Sequence, residues 1–278
     1  MDSLRIFHPT GRRKIIWDLL AGLAIIYSLI NIPYRISFIS EGVSLWNEVL
    51  DYTVDGVFFL DILITFNTAY IETDTNQLVT NRLLIAKAYS QFWIWIDLAS
   101  ALPFDIMAEA ASRIPLQGAS LTSLKLLRIL RLAKLFKLYR IFKSQGLQDA
   151  LDNLRINSAV VSVSALVFQT FLLSHIIACF WVFITIPEAT GGVVVEGASF
   201  NFTRTWVTEA GLQESDARTQ YIASLYWTFY TLLSVGYGDI HATNTGERFF
   251  SVVVMLIGGL MFGTIIAKVK GKNRAILY

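Results

Sequence analysis

At 278 residues the chain can form one large domain or two modest ones, but 54% of it is hydrophobic and only 16% charged, a balance far from that of a soluble globular domain. A net charge of +2 and three scattered histidines give no nucleic-acid signal, and nothing resembles a metal cluster, a phosphate loop or a nucleophile beside its base, so no enzyme, no cofactor and no nucleic-acid partner is expected. The lone cysteine, Cys179, excludes a disulfide within the chain.

Four apolar runs meet the roughly 20-residue requirement of a membrane crossing: Ile15 to Ile39, Trp46 to Tyr70, Ala159 to Ile186 and Phe249 to Val269. The first is too long for a signal-peptide core and lacks a small-residue cleavage site, so it is read as retained. Two less obvious spans join them. Tyr89 to Met107 is broken by Asp97 and Asp105, and Leu121 to Lys143 carries seven cations. The expectation is an all-α integral membrane protein with six transmembrane helices, in contact with membrane lipids. Arg5, Arg12, Arg13 and Lys14 precede the first span, Arg82 and Lys87 lie between the second and third, and Lys268, Lys270, Lys272 and Arg274 follow the sixth, while few cations occupy the other loops. The positive-inside rule then places both termini in the cytoplasm. An N-F-T sequon at Asn201 falls in the long outer loop, where it offers an N-glycosylation acceptor.

The fourth span, LKLLRILRLAKLFKLYRIFK, sets a cation at every third position: Lys125, Arg128, Arg131, Lys134, Lys137, Arg140 and Lys143. An amphipathic helix on an anionic leaflet is the simplest account of such a basic segment. Period three argues against it, because cations three apart drift by about 60° per step and wind around an α-helix instead of marking one solvent face. Such a spiral suits a helix that moves past fixed counter-charges, with Lys125 to Lys137 as the moving charges and Arg140 and Lys143 as inner anchors. Counter-charges occur at matched depth: Asp61 lies nine residues before the inner end of the second span and Asp97 eight residues after the start of the third, each roughly 12 to 14 Å deep. They are expected to face each other, with Phe58 plugging the gap and Asp51, Asp55 and Asp105 forming a second acidic layer nearer the outside.

The polar piece SQGLQDALDNLR, Ser144 to Arg155, separates the first four spans from the last two. The expected organisation is an N-terminal segment and four-helix unit over 1–143, a linker over 144–155 and a second unit over 156–278. Between the fifth and sixth spans, TQYIASLYWTFYTLLSVGYGDI from Thr219 to Ile240 is apolar for about 15 residues, too short to cross, and then breaks at glycine. It fits a re-entrant helix ending near Leu233 and followed by an extended segment, which is tolerated at membrane depth where it is buried in protein or lines water. Gly236 and Gly238 let consecutive carbonyls point the same way. In the sixth span Gly258, Gly259 and Gly263 suit either a hinge or close packing, Gly259 and Gly263 forming a small-xxx-small pair.

SVGYGD resembles the potassium-channel filter signature, usually written with Thr in place of Ser234. The resemblance implies that Ser234, Val235, Gly236, Tyr237 and Gly238 line a selectivity filter for permeant K+ ions. Asp239 would sit at its outer mouth, and Tyr226 and Trp227 would brace Tyr237 and Asp239 through hydrogen bonds. DYTVDGVFFLDILITFNTAYI, LVTNRLLIAKAYSQFWIWIDLASALPFD and RINSAVVSVSALVFQTFLLSHIIACFW are similar to the second, third and fifth segments of the superfamily that includes the ether-à-go-go, hyperpolarisation-activated and cyclic-nucleotide-gated channels. His175 and Cys179 fit its His-x-x-Ala-Cys pattern. The resemblance implies a voltage-gated, potassium-selective channel subunit of the plasma membrane, assembled with three further identical or related subunits. The rival readings are a weakly selective hyperpolarisation-activated cation channel and a non-conducting lipid-binding or scaffold protein with the channel fold. The superfamily usually continues past the sixth segment into a cyclic-nucleotide-binding domain, whereas this sequence stops at Tyr278, and no nucleotide site is assigned to it.

The orientation is directly testable. A tag inserted near Glu196 is expected to be labelled on intact cells, and one placed after Tyr278 only after permeabilisation. The opposite labelling pattern would overturn the charge-based topology.

Overall fold

The computed structural model describes residues 6–38, 45–72, 77–91, 93–101, 158–185 and 204–275. These fall into two compact units, the first holding 6–32, 45–72, 77–91 and 93–101, the second 33–38, 158–185 and 204–275. The fourth span with Lys125, Arg128, Arg131, Lys134 and Lys137, the linker at 144–155, Asp105 and Asn201 lie outside the described residues.

The first unit opens with α1, Arg12–Phe38. Its buried side chains Ala21, Ala24, Ile25, Ser28, Leu29 and Ile32 recur at the three- and four-residue spacing of a single helical face. Ile16, Leu19, Leu20 and Leu23 are exposed on the other faces, so the helix is apolar all round, as a membrane span requires. Pro33 sits inside it and cannot donate to the carbonyl one turn earlier. Helix α2, Leu45–Phe66, is followed by a two-residue hairpin, β1 (Tyr70–Ile71) and β2 (Leu78–Val79), paired Tyr70 to Val79 and Ile71 to Leu78. Phe7 is tied alongside: its N–H donates to the Asn67 carbonyl at 2.8 Å, and its carbonyl accepts from Ala69 N–H at 3.0 Å. Helix α3, Arg82–Ser90, starts at Asn81, whose side chain accepts from Leu83 N–H at 2.9 Å. Helix α4 runs Trp93–Ala101. Tyr89, where the third span is expected to start, lies in α3, and its buried ring packs edge-on against Phe66 at 4.9 Å.

In the second unit α5 (Ser158–Phe183), α6 (Trp206–Glu209), α7 (Ala217–Leu232) and α8 (Thr245–Ala275) meet at Trp181. Its indole lies flat on Trp227 of α7, with centroids 3.8 Å apart and planes 4° apart, and also stacks with Trp206 of α6 at 5.6 Å and Phe250 of α8 at 5.9 Å. The Trp206 indole N–H donates to the Trp181 carbonyl at 3.0 Å. Burying such large rings contributes a large apolar area and fixes the relative rotation of four helices at one point. On α5 the buried positions begin at Leu172, while Val163, Val167, Phe168 and Phe171 are exposed. The α1 residues of this unit close over the same region: Tyr34 and Phe38 set their rings edge-on to Tyr221, and the Ser37 hydroxyl donates to the Cys179 carbonyl at 2.8 Å.

Glu247 ties the outer elements together from a fully buried position. One carboxylate oxygen accepts from Trp206 N–H at 3.0 Å, and the other from the Thr243 N–H at 2.7 Å and the Thr243 hydroxyl at 3.0 Å. Its own N–H donates to the Asn244 side chain at 2.9 Å, so it is the third-position partner of an N-terminal cap on α8 while also serving the first amide of α6. Both helix dipoles favour an anion there. The Arg204 guanidinium grips Glu209 through two bonds of 2.9 and 3.0 Å and holds that carboxyl below its ordinary pKa, but the pair is exposed and adds little to stability.

Within the described residues three helical stretches are long and apolar enough to cross a membrane: Arg12–Phe38, Val163–Phe183 and Thr245–Gly263. Helix α2 has the length but carries Glu48, Asp51, Asp55 and Asp61. Replacing Glu247 with Ala leaves the amides of Trp206 and Thr243 without their acceptor, and the expected loss is about 2 to 4 kcal/mol. It is read as a lower thermal unfolding midpoint of the detergent-purified protein. A midpoint equal to the parent's would show that Glu247 is not the anchor.

Candidate functional site

Helix α7 ends in a way that prepares the segment after it. Ser234 N–H donates to the Thr231 carbonyl at 3.1 Å and Val235 N–H to the Tyr230 carbonyl at 2.8 Å, the paired closing bonds of a Schellman motif with Ser234 as the left-handed residue. Ser234 has φ +58°, the one positive φ among described residues other than glycine. That position normally belongs to glycine, and a side chain there costs roughly 1 to 2 kcal/mol. The pattern then continues, with Gly236 at φ +62° and Gly238 at φ +81° separated by Val235 and Tyr237, which are not left-handed. Alternating the hand of φ turns every second peptide over, so successive carbonyls come to one side instead of alternating as in a strand. Val235 and Tyr237 are exposed on this chain.

Three tyrosines back this segment. The Tyr237 ring stacks parallel to Tyr226 at 6.1 Å and meets Tyr230 edge-on at 5.9 Å, while Tyr226 and Tyr230 are 5.1 Å apart. Asp239 lies close to the Tyr226 hydroxyl. Tyr230 is buried, and its hydroxyl donates to the Ile240 carbonyl. The Trp227 ring lies against Trp181 of α5. Helical geometry explains the division, because residues 226 and 230 are four apart and share a face, whereas 227 is turned by about 100°. The same spacing could have singled out Tyr230 from the sequence.

The glycines of α8 also separate. A Cβ at Gly258 would come within 2.9 Å of the Leu232 carbonyl oxygen and 3.1 Å of its Cα, whereas one at Gly259 or Gly263 would meet nothing within 4 Å. Close packing inside the chain thus rests on Gly258, against the last residue of α7, and not on the 259/263 pair. His175 is a buried packing residue whose Nδ1 lies 2.9 Å from the Tyr221 hydroxyl and whose Nε2 lies 3.7 Å from Cys179 Sγ.

In the first unit Phe58, Asp61 and Asp97 are fully buried. The Trp17 indole N–H donates to Asp61 at 3.1 Å, the Tyr89 hydroxyl donates to Asp97, and the Tyr27 hydroxyl donates to Asp51 at 3.3 Å. Asp55 is half-buried on the same helix. Indole and phenol hydrogens donate to carboxylate lone pairs, which offsets part of the cost of burying these groups. Trp17 and Tyr89 were not legible as partners, since they come from α1 and α3.

Residues 14–270 match the ion transport protein family. The chain is 30% identical over 270 residues to the human voltage-gated delayed rectifier potassium channel KCNH5, covering 92% of this chain and 26% of that protein. It is 30% identical over 280 residues to the voltage-gated inwardly rectifying potassium channel KCNH2 of Canis lupus familiaris, covering 92% and 22%. To potassium channel AKT2 of Oryza sativa subsp. japonica it is 28% identical over 257 residues, covering 92% and 28%. The chain spans about a quarter of the length of these relatives.

The contrast between neighbouring glycines gives a test. Gly258→Ala is expected to lower the thermal unfolding midpoint, an overpacking cost of about 1 to 3 kcal/mol. Gly259→Ala, with open space at its Cβ, is expected to leave the midpoint unchanged or raise it. Equal shifts in the two variants would remove the contact with Leu232 as the constraint.

Proposed function

Because the chain belongs to the ion transport protein family, a family of transport proteins and not of enzymes, we propose that it is a subunit of a voltage-gated, potassium-selective channel in which four copies surround one conduction path. The observation that carries the reading is the alternation of left-handed φ at Ser234, Gly236 and Gly238 directly after the end of α7. Carbonyls of residues 234–238 from four copies, with the Ser234 hydroxyl, replace the hydration shell of K+. The 16 residues of α7 reach only about 24 Å, short of a bilayer core of roughly 30 Å, so α7 enters and the following segment returns to the same face. The negative end of its dipole then favours a cation in the cavity. Six spans cross the plasma membrane and both termini are cytoplasmic. The three relatives are named as potassium channels, which supports the choice of ion.

Voltage acts through the row Lys125, Arg128, Arg131, Lys134 and Lys137, moving past Phe58, Asp61 and Asp97, with Asp51, Asp55 and Asp105 nearer the outside. The burial of Asp61 and Asp97 supports this role, because ionisable groups at membrane depth persist where opposite charges meet them. One elementary charge crossing the field gains about 2.3 kcal/mol per 100 mV, so three per subunit in four subunits supply tens of kcal/mol to a gate. The two relatives named voltage-gated are a delayed and an inward rectifier, so the sign of the gating voltage comes from the recording itself.

Voltage clamp in two potassium gradients is expected to give a reversal potential that follows potassium, with a preference over sodium of about tenfold or more. Arg131→Gln is expected to reduce the gating charge per channel. Equal reversal in sodium and potassium would replace this reading with a weakly selective cation channel. No current from purified protein in a bilayer would replace it with a non-conducting channel fold, and unchanged gating charge in Arg131→Gln would remove Arg131 from the sensor.

A further inference from the structure

The short helix α3 shows solvent a face that its fold leaves uncovered. Ile85 and Tyr89, four residues apart, are buried, and the Tyr89 ring packs on Phe66 of α2. Leu83 and Lys87 each precede one of these by two residues, and so are turned from it by about 200°. Leu83 is 80% exposed and Leu84 beside it 49%, and Arg82 and Lys87 are exposed with them. Two more exposed cations, Arg12 and Arg13, open α1. They lie at the same end of the unit, because Phe7, shortly before α1, is hydrogen-bonded to Asn67 and Ala69, which follow α2 and lead through the hairpin into α3. We propose that α3 and the start of α1 form a docking surface for anionic phospholipids of the inner leaflet. Leu83 and Leu84 enter the headgroup and acyl boundary, and Arg82, Lys87, Arg12 and Arg13 bind the headgroups. The leaflet assignment rests on the cytoplasmic side given to this end of the unit under the channel reading above.

Charge decides what covers the face. Lys14 is already paired with Asp18 one turn along α1. Arg12, Arg13, Arg82 and Lys87 form no ion pair among the described residues. Across the described stretches 6–14, 67–72 and 77–91, Glu72 is the only acid, so the cations face outward with little of the opposite sign beside them. Exposed leucines interleaved with unpaired cations make up a surface that lies in a membrane interface, where the apolar groups leave water and the basic groups meet anionic lipid. The nine residues of α3 are too few to cross a bilayer, but a short helix suffices to lie along it. Lys87 shares a face with Leu83, and its long stem lets the ammonium reach headgroup level while the leucine is buried. Each basic side chain close to an anionic surface strengthens binding about fivefold.

Association of acyl-labelled phosphatidylserine with the full chain, purified in a neutral detergent, reads this surface without any current. It is expected to be about tenfold or more tighter than that of equally labelled phosphatidylcholine, and to weaken about fivefold in Arg82→Gln and in Lys87→Gln. Leu83→Ser keeps every charge and is expected to weaken it by a similar factor, through the lost apolar contact. Arg218→Gln, at an exposed cation of α7, is expected to leave it at the parent's value, and water-soluble glycerophosphoserine is expected not to displace the labelled lipid. All four substitutions are at exposed positions, and an unchanged unfolding midpoint verifies that the fold is kept. Equal binding of the two lipids, or parental phosphatidylserine binding in both Arg82→Gln and Lys87→Gln, would overturn the surface and leave Leu83 and Leu84 to a protein partner. Parental binding in Leu83→Ser, or displacement by glycerophosphoserine, would make it a site for free phosphates instead of lipid. Labelling of a tag after Tyr278 on intact cells would overturn the inner-leaflet assignment, whereas absence of potassium current would overturn the channel reading and leave the lipid surface standing.

Discussion

Helix α7 stops short, and the chain beyond it runs extended with backbone groups that no regular partner strand satisfies. Such backbone persists in a membrane protein when side chains and neighbouring helices are committed to it, and much of the second unit can be understood as that commitment. The Schellman closure uses the last carbonyls of α7 to receive the amides of Ser234 and Val235. Tyr230 and Tyr226 back the segment from the helix face that points at it. Trp227 turns to another face and joins α7 to α5 through the stack on Trp181, so the helix that carries the segment is held by a buried aromatic stack. Gly258 lets α8 approach the final residue of α7. Glu247 then fixes where the chain goes next, by binding amides before α6 and before α8 with one carboxylate.

The first unit follows a different logic. It buries Asp61 and Asp97, and three of its acids accept from a donor on another helix: Asp61 from Trp17, Asp97 from Tyr89 and Asp51 from Tyr27. Burying carboxylates is expensive for folding and has a purpose only if their charge is used. Phe58, on the same helix as Asp61, is fully buried as well.

Composition and run length were enough to reach a helical protein with apolar spans of membrane length, and the glycines at 236 and 238 marked where φ is positive, because apolar length and the freedom of glycine are matters of local chemistry. Tertiary structure decided what local chemistry leaves open. Ser234 takes a left-handed conformation that its residue type disfavours because the closing bonds of α7 impose it. Trp227 and Tyr226 are neighbours in sequence with similar rings, yet one packs on α5 and the other backs the filter-like segment, since 100° of helical rotation sends them to different surroundings. Gly258, not the 259/263 pair, is the packing glycine because only there does another backbone come close. Glu247, Trp181 and Trp206 carry no motif at all. Their roles arise from contacts between residues distant in sequence, such as Trp206 and Glu247, 41 positions apart, and such contacts are set when helices pack, not when the chain is written.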